Sequence, residues 1–369
     1  MKFLFEGFTE QHYVLLFKYI LVFLIVVGSL ILRSLEYKKL VFLRNDRNLL
    51  IIFCVFIIIF SGTRGYRIGT DTYNYYMFYY IKGLGITNIF TFLSYFKSDF
   101  LFEVLAYITF QFKNYTVFLM AVSIIINGCL YMFVRKFTDF GNAGSSLLFF
   151  LTIASSFSFL SIEINIIRNG LSIGFVLLGL YYLDKKFFKK CIIFFIIGYL
   201  FHRTAVIPIF IAFSAYFGWK VQLKYYLALY LLFIGLSFVG FGFDKISILS
   251  SISGEDFKRL AFQGETTYRI GFRYDFVLYN SFFLFLFIKF SDLKNRTDLF
   301  FIRFYILASI VFFMNFNIPF SDRIGLYSWI IIPILLFNTI KNSFPKKQLY
   351  YSSLAALFYC ILNHFILFS

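Results

Sequence analysis

The stretch "CIIFFIIGYLFHRTAVIPIFIAFSAYF", residues 191–217, decides the class of this chain. It is apolar almost throughout and is interrupted once, at His202-Arg203. A helix needs about 20 mostly apolar residues to cross a bilayer. The stretch is therefore either one interrupted crossing or two short helices meeting at His202. Its flanks are basic on both sides, "DKKFFKK" before and "WKVQLK" after. Basic residues gather in cytoplasmic loops. With both flanks on that side, the chain turns at His202 and forms two helices.

The rest of the chain has the same character. Of 369 residues 60% are hydrophobic and only 14% charged, and mean hydropathy is +0.81. A soluble domain of this length cannot hide so much apolar surface. The 59 Phe and 28 Tyr rise together with Ile, Lys and Asn, a pattern of AT-rich coding that carries little functional weight. The net charge of +17 would suggest nucleic acid in a soluble protein. Here no soluble segment is large enough to hold a duplex, and topology accounts for the charge. Cys54, Cys129, Cys191 and Cys360 lie inside apolar runs without metal-ligand spacing and read as core residues. No basic segment and cleavage site precede the first apolar run, which reads as a retained span.

Spans are expected near 13–32, 49–62, 115–134, 145–161, 166–183, 223–242, 276–290, 299–319, 324–340 and 349–367. With two more from 191–217, the expectation is an all-α polytopic membrane protein of about 12 transmembrane helices. Residues 84–111 are apolar but broken by Lys97, Asp99 and Glu103, and read as interfacial or re-entrant helices shielded by protein. No internal repeat or flexible linker divides the chain, so residues 1–369 read as one membrane domain. With 33–48 inside, the inner segments carry Lys and Arg at well over twice the density of the outer ones, as the positive-inside rule requires. Residues 63–114 and 243–275 then face outward, around a polar cavity.

The outer segments favour arginine, in Arg64, Arg67, Arg168, Arg203, Arg259, Arg269, Arg273 and Arg323, where the inner ones favour lysine. A guanidinium offers a rigid fork that matches phosphate and never loses its charge. The plain alternative is snorkelling to headgroups or pairing with carboxylates. In "RGYRIGTDTYNYY", residues 64–76, Gly69 permits a turn and Asp71 is placed either to cap a helix or to meet Arg67 or a sugar. Tyr73, Tyr75, Tyr76 and Tyr79 suit sugar rings or an interfacial belt. Asn165 and Asn169 are four apart and Arg168 lies near them, so one helix face is expected to carry all three. His202 stands at the break as a candidate acid or base, or as a neutral ring bonded to freed backbone. Asp322 is a possible partner of Arg323. Walker, dinucleotide, HExxH and GxSxG patterns are missing, which argues against an ATP-driven pump or a metalloprotease, and no metal or cofactor is expected.

Four pieces in order resemble the EpsG/Wzy group of polysaccharide polymerases. They are "RGYRIGTDTYNYY", "FEVLAYITFQF" through Glu103, "IIRNGLSIGFVLLGLYYLDKKFFKKCIIFFIIGYLFHRTAVI", and "DRIGLYSW". Asn169 stands where the group would have Gln, and Arg203 follows the histidine directly. The resemblance implies a multispanning, metal-independent glycosyltransferase of the bacterial cytoplasmic membrane. It would polymerise undecaprenyl-pyrophosphate-linked glycan repeat units on the outer face. Arg64, Arg67, Arg168, Arg269, Arg273, Arg323 and Tyr76 would bind pyrophosphate and sugar. Asp71, Glu103 or His202 would take the proton of the attacking hydroxyl. A chain-length regulator is a possible partner besides membrane lipid. The rival readings are a lipid-linked oligosaccharide flippase, an outer-face O-antigen ligase or O-acyltransferase, and a subunit without chemistry.

Overall fold

The computed structural model describes residues 5, 7–139, 145–245 and 269–367. Regular structure there is helical throughout, without strands among the described residues. The residues cluster into two compact units, Met1–Ile209 with Phe344–Ser369, and Phe210–Ser343. No shift in composition marks that division.

The first unit opens with α1 (Glu10–Ser34) and α2 (Lys39–Gly62). Thr9 caps α1 by accepting the His12 N–H at 3.2 Å. A short helix α3 (Thr70–Asn74) runs through a π-helical turn (Tyr75–Tyr80) into α4 (Ile81–Gly83). Next come α5 (Ile89–Phe96) and α6 (Phe100–Phe110), of 8 and 11 residues. Both are shorter than a crossing requires. The long α7 (Tyr115–Asp139) is followed by α8 (Ser146–Ala154) and α9 (Phe157–Ile164). The expected single span at 145–161 is instead this pair, bent by 78° at Ser155-Ser156. Then come α10 (Ile167–Asp184), α11 (Phe188–Phe201) and, past His202 and a 3-10 turn (Arg203–Ala205), α12 (Val206–Phe217). The chain does break at His202, as two helices. Gln348–Ile361, labelled α18, returns to pack on α1 and α8.

Close helix contacts in this unit rest on small residues. A Cβ on Gly174 of α10 would stand 2.7 Å from the Cβ of Cys129 on α7. One on Gly62 of α2 would meet Met120 of α7 at 2.6 Å. In lipid, where apolar side chains gain nothing by leaving solvent, backbones that approach closely gain van der Waals contact instead. A buried carboxylate supplies another tie. Asp46 of α2 accepts the N–H groups of Ser146 at 2.9 Å and Leu147 at 3.1 Å, closing the first turn of α8.

The second unit holds α13 (Leu223–Phe238), α14 (Tyr274–Phe290), α15 (Arg296–Phe313), α16 (Asp322–Trp329) and α17 (Ile332–Ser343). Buried Asn280 ties three of them. Its Nδ2 donates to Ser309 Oγ at 3.0 Å, and its Oδ1 accepts the Trp329 indole N–H at 3.2 Å.

Among the described residues, four helices are long and apolar enough to cross a membrane: Glu10–Ser34, Tyr115–Thr138, Asp322–Ser343 and Pro345–Leu367. The bent pair makes a fifth if it is one span. The fold is that of a helical polytopic membrane protein, and each expected span coincides with a helix or helix pair.

The α7–α10 contact gives a direct test. Gly174→Leu is expected to cost about 1–3 kcal/mol through overpacking, seen as a lower unfolding temperature of the purified protein. Gly128→Ala, with nothing within 4 Å of the added carbon, is the control. Equal melting of the two variants would contradict the packing.

Candidate functional site

The candidate site of the first unit is built around a residue between two short helices. α5 stops at Lys97, which takes the left-handed conformation with φ 50°. Ser98 and Asp99 follow, and Asp99 stands at the N-cap of α6. An aspartate there ordinarily accepts N–H groups of the first helical turn, worth about 1 kcal/mol. Asp99 makes no such bond. Its Oδ2 instead accepts from Arg168 Nη1 and from His202 Nδ1, each at 2.9 Å. Its Oδ1 accepts the backbone N–H of Arg203 at 3.1 Å. The carboxyl is only 3% exposed. Burial pushes its pKa up, but the His202 hydrogen bond, the nearby Arg168 charge and the Arg203 N–H outweigh this and hold it below the usual carboxylate value.

Arg168 is the second residue of α10. The N-terminal end of a helix carries partial positive charge and disfavours a cation, so Arg168 depends on Asp99 for compensation. Its Nε donates to the Tyr75 hydroxyl at 2.8 Å and its Nη1 also to Ser98 Oγ at 2.8 Å. The fork is thus clamped from the π-helical turn and from the α5–α6 turn. Its Nη2 makes no hydrogen bond among the described residues, and the side chain keeps 21% exposure. His202 ends α11 in extended backbone and is buried. The Arg203 side chain is 57% exposed and donates from Nη2 to the Ser98 carbonyl at 2.7 Å. Beside this cluster lies a cavity of about 350 Å³, lined among others by Lys97, Asp99, Glu103, Tyr199 and Arg203.

The other expected site residues have distinct places. Glu103 is buried one turn into α6, and its carboxylate accepts the Ser98 N–H. Burial raises its pKa against that bond. Asp71 lies in the first turn of α3, whose N-cap is Gly69, with φ 92°, so of the alternatives for Asp71 the helix cap is not formed. The Asp71 N–H is met from outside, by Asn165 Oδ1 at 2.9 Å. A Cβ on Gly69 would stand 2.2 Å from the Ile164 carbonyl oxygen, which explains the glycine. Arg64 is fully buried and donates to the Ser61 carbonyl and, at 3.0 Å, to Thr72 Oγ1. Arg67 is exposed, 5.6 Å from the Tyr66 ring, and Tyr76 stacks on that same ring at 4.4 Å.

The expected polar face of Asn165, Arg168 and Asn169 needs correction. Asn165 sits in the break between α9 and α10, because α9 ends at Ile164 and α10 begins at Ile167. Asn165 serves Asp71, whereas Asn169 accepts from Thr204 Oγ1 at 2.9 Å.

Arg269, Arg273 and Arg323 belong to the second unit. Arg273 pairs with Asp275 at 2.7 Å, Arg269 lies 5.6 Å from the Tyr274 ring, and Arg323 lies 4.9 Å from the Phe320 ring. Arg259, with most of the loop 243–275, lies outside the described residues. Sequence reasoning passed over Asp99 and Ser98 as site residues, and read Tyr75 as a sugar face or belt residue instead of a partner of Arg168. The available signal was the polar triplet Lys97-Ser98-Asp99 inside an apolar stretch. Among the described residues no group of three or more His, Cys, Asp or Glu could hold a metal ion.

The EpsG family model matches residues 47–369, which include all of these residues. The chain belongs to the EpsG family. No curated protein and no solved structure matches it. Membership agrees with the apolar helices in giving a membrane protein, and it points to a polysaccharide polymerase-like, glycosyltransferase-like role.

In this EpsG-family chain the Asp99 pairing has a pH signature. A carboxylate with a depressed native pKa stabilises the fold fully above its unfolded value, about 3.9. That contribution is lost as pH falls through the lower native value. The unfolding temperature in detergent should therefore fall steeply on acidification below about pH 4. Asp99→Asn should start lower at neutral pH and fall less. Parallel curves for the two proteins would refute the pairing.

Proposed function

We propose that this chain polymerises lipid-linked oligosaccharide repeat units on the outer face of the cytoplasmic membrane. In the reaction, the bond from the anomeric carbon of the growing chain to its undecaprenyl pyrophosphate breaks. A new glycosidic bond forms to a hydroxyl of the next unit, and that hydroxyl gives up its proton. The leaving group departs with the electron pair and a growing negative charge. The observation that carries this reading is the Arg168 fork. It is held through Nε by Tyr75 and through Nη1 by Ser98 and Asp99, which leaves Nη2 without a hydrogen bond among the described residues. A donor fixed in advance, in a water-poor place, stabilises developing charge strongly because nothing need reorganise.

In this reading Arg67 and exposed Arg203 assist Arg168, Tyr76 offers a ring face to sugar, and Arg269, Arg273 and Arg323 are candidate pyrophosphate-binding residues. Buried Arg64 acts indirectly, by holding Thr72 next to Asp71 in α3. Asp71, Glu103 and His202 are the candidates for the base. About twelve crossings, an outward cavity and a chain-length regulator as partner belong to the same proposal. The match between expected spans and helices and the bias of basic residues support it.

The test is the length distribution of surface polysaccharide in cells lacking the gene. Deletion is expected to leave single repeat units. Complementation with Arg168→Ala, at normal protein level, should fail to restore the ladder. Arg168→Lys should restore it poorly, because an ammonium cannot reproduce the clamped fork. Long polymer made but unattached would indicate a ligase, and an unchanged glycan would favour transport or acyl transfer.

A further inference from the structure

We infer that Asp99 is the positioning residue of the site, setting His202 as the base and Arg168 as the fixed cation of one constellation. The inference rests on the polymerase reading and goes further, by selecting one base and assigning a residue that acts through it. An ionised carboxylate can only accept hydrogen bonds. Asp99 faces Arg168 and an Arg203 backbone N–H, both obligatory donors. The bond at 2.9 Å to His202 Nδ1 therefore requires the proton on Nδ1. In the neutral ring this leaves the lone pair on Nε2. No hydrogen bond among the described residues occupies Nε2. Glu103 is the less suitable base, because its carboxylate is engaged by the Ser98 N–H.

The shared oxygen matters as much as the tautomer. Arg168 Nη1 and His202 Nδ1 bind the same Oδ2. When His202 takes the acceptor proton on Nε2, it becomes a cation beside a guanidinium. Asp99 lies between the two and removes most of that repulsion. The charged groups placed at His202 are Asp99 at the start of α6, Arg168 of α10 through the shared Oδ2, and Arg203 just beyond the break. The step balances. The acceptor proton moves to Nε2, its oxygen forms the new bond to the anomeric carbon, and the old carbon–oxygen bond leaves its electron pair on the lipid pyrophosphate. His202 then releases the proton to water. The diverted N-cap is a separate sign of the same function. Asp99 forgoes a local helix bond that any ordinary cap would make, and such breaches of local rules mark functional positions.

The experiment uses full-length protein in lipid nanodiscs, with lipid-linked repeat units extracted from cells lacking the gene. Polymer formation by the wild type establishes the polymerase reading first, and its failure would sink that reading alone. In Asp99→Asn the amide can donate to Nδ1 and place the ring proton on Nε2. The expected result is a kcat lower by about 100-fold or more, with KM for the lipid-linked unit little changed. His202→Ala should lose a similar factor, and added imidazole should restore part of it. A folded Asp99→Asn enzyme with wild-type kcat overturns the inference. If that variant does not fold, His202→Ala decides. Recovery by imidazole supports the inference. Undiminished kcat, or a loss that imidazole leaves untouched, overturns it.

Discussion

The Asp99 carboxylate has left water at the edge of an apolar helix, and such a charge persists only if donors surround it. Those donors come from three places: the N-terminus of α10, the end of α11 and the turn beyond it. Each location makes sense only because of the acid. Arg168 at the positive end of α10 would be a liability alone. His202 breaks an apolar run that could otherwise have continued. The turn at Lys97 and Ser98 delivers Asp99 to all of them, and Glu103 steadies that turn through the Ser98 N–H.

Around this point the fold follows the demands of lipid. Backbone groups are satisfied within helices, and the breaks in helices are met by side chains instead. Asn165 answers the Asp71 N–H across the α9–α10 break, and Asp46 answers the start of α8. Where helices approach closely, glycine makes room, as Gly62 and Gly174 do against α7. Polar side chains thus satisfy the backbone at these interruptions, which is also where the proposed chemistry lies.

The helices were legible in the sequence, because a run of apolar residues long enough for a bilayer leaves little alternative to a helix. The break at His202 was legible too, through the basic flanks. The bend at Ser155-Ser156 was not, since two small hydroxyl residues barely lower the hydropathy of their run. A break between the runs ending near 161 and starting near 166 was expected, but Asn165 was placed on the helix that it precedes. Arg168 and His202 stood out singly as polar residues in apolar company. What joins them did not, because Asp99 read only as one of three charges interrupting an interfacial segment. Spacing along the chain carries no trace of a contact between residues 69 and 103 positions away.

That separation bears on how the protein is made. A ribosome delivers residue 99 well before residues 168 and 202, and chains of this size assemble in the order of synthesis. Until the α10–α11 hairpin arrives, the Asp99 carboxylate has none of its partners and must stay in water. The turn that carries it can then settle only as the hairpin is placed. Completion of the site and insertion of the α10–α11 hairpin become one event, and a chain arrested before residue 168 has the acid without its partners.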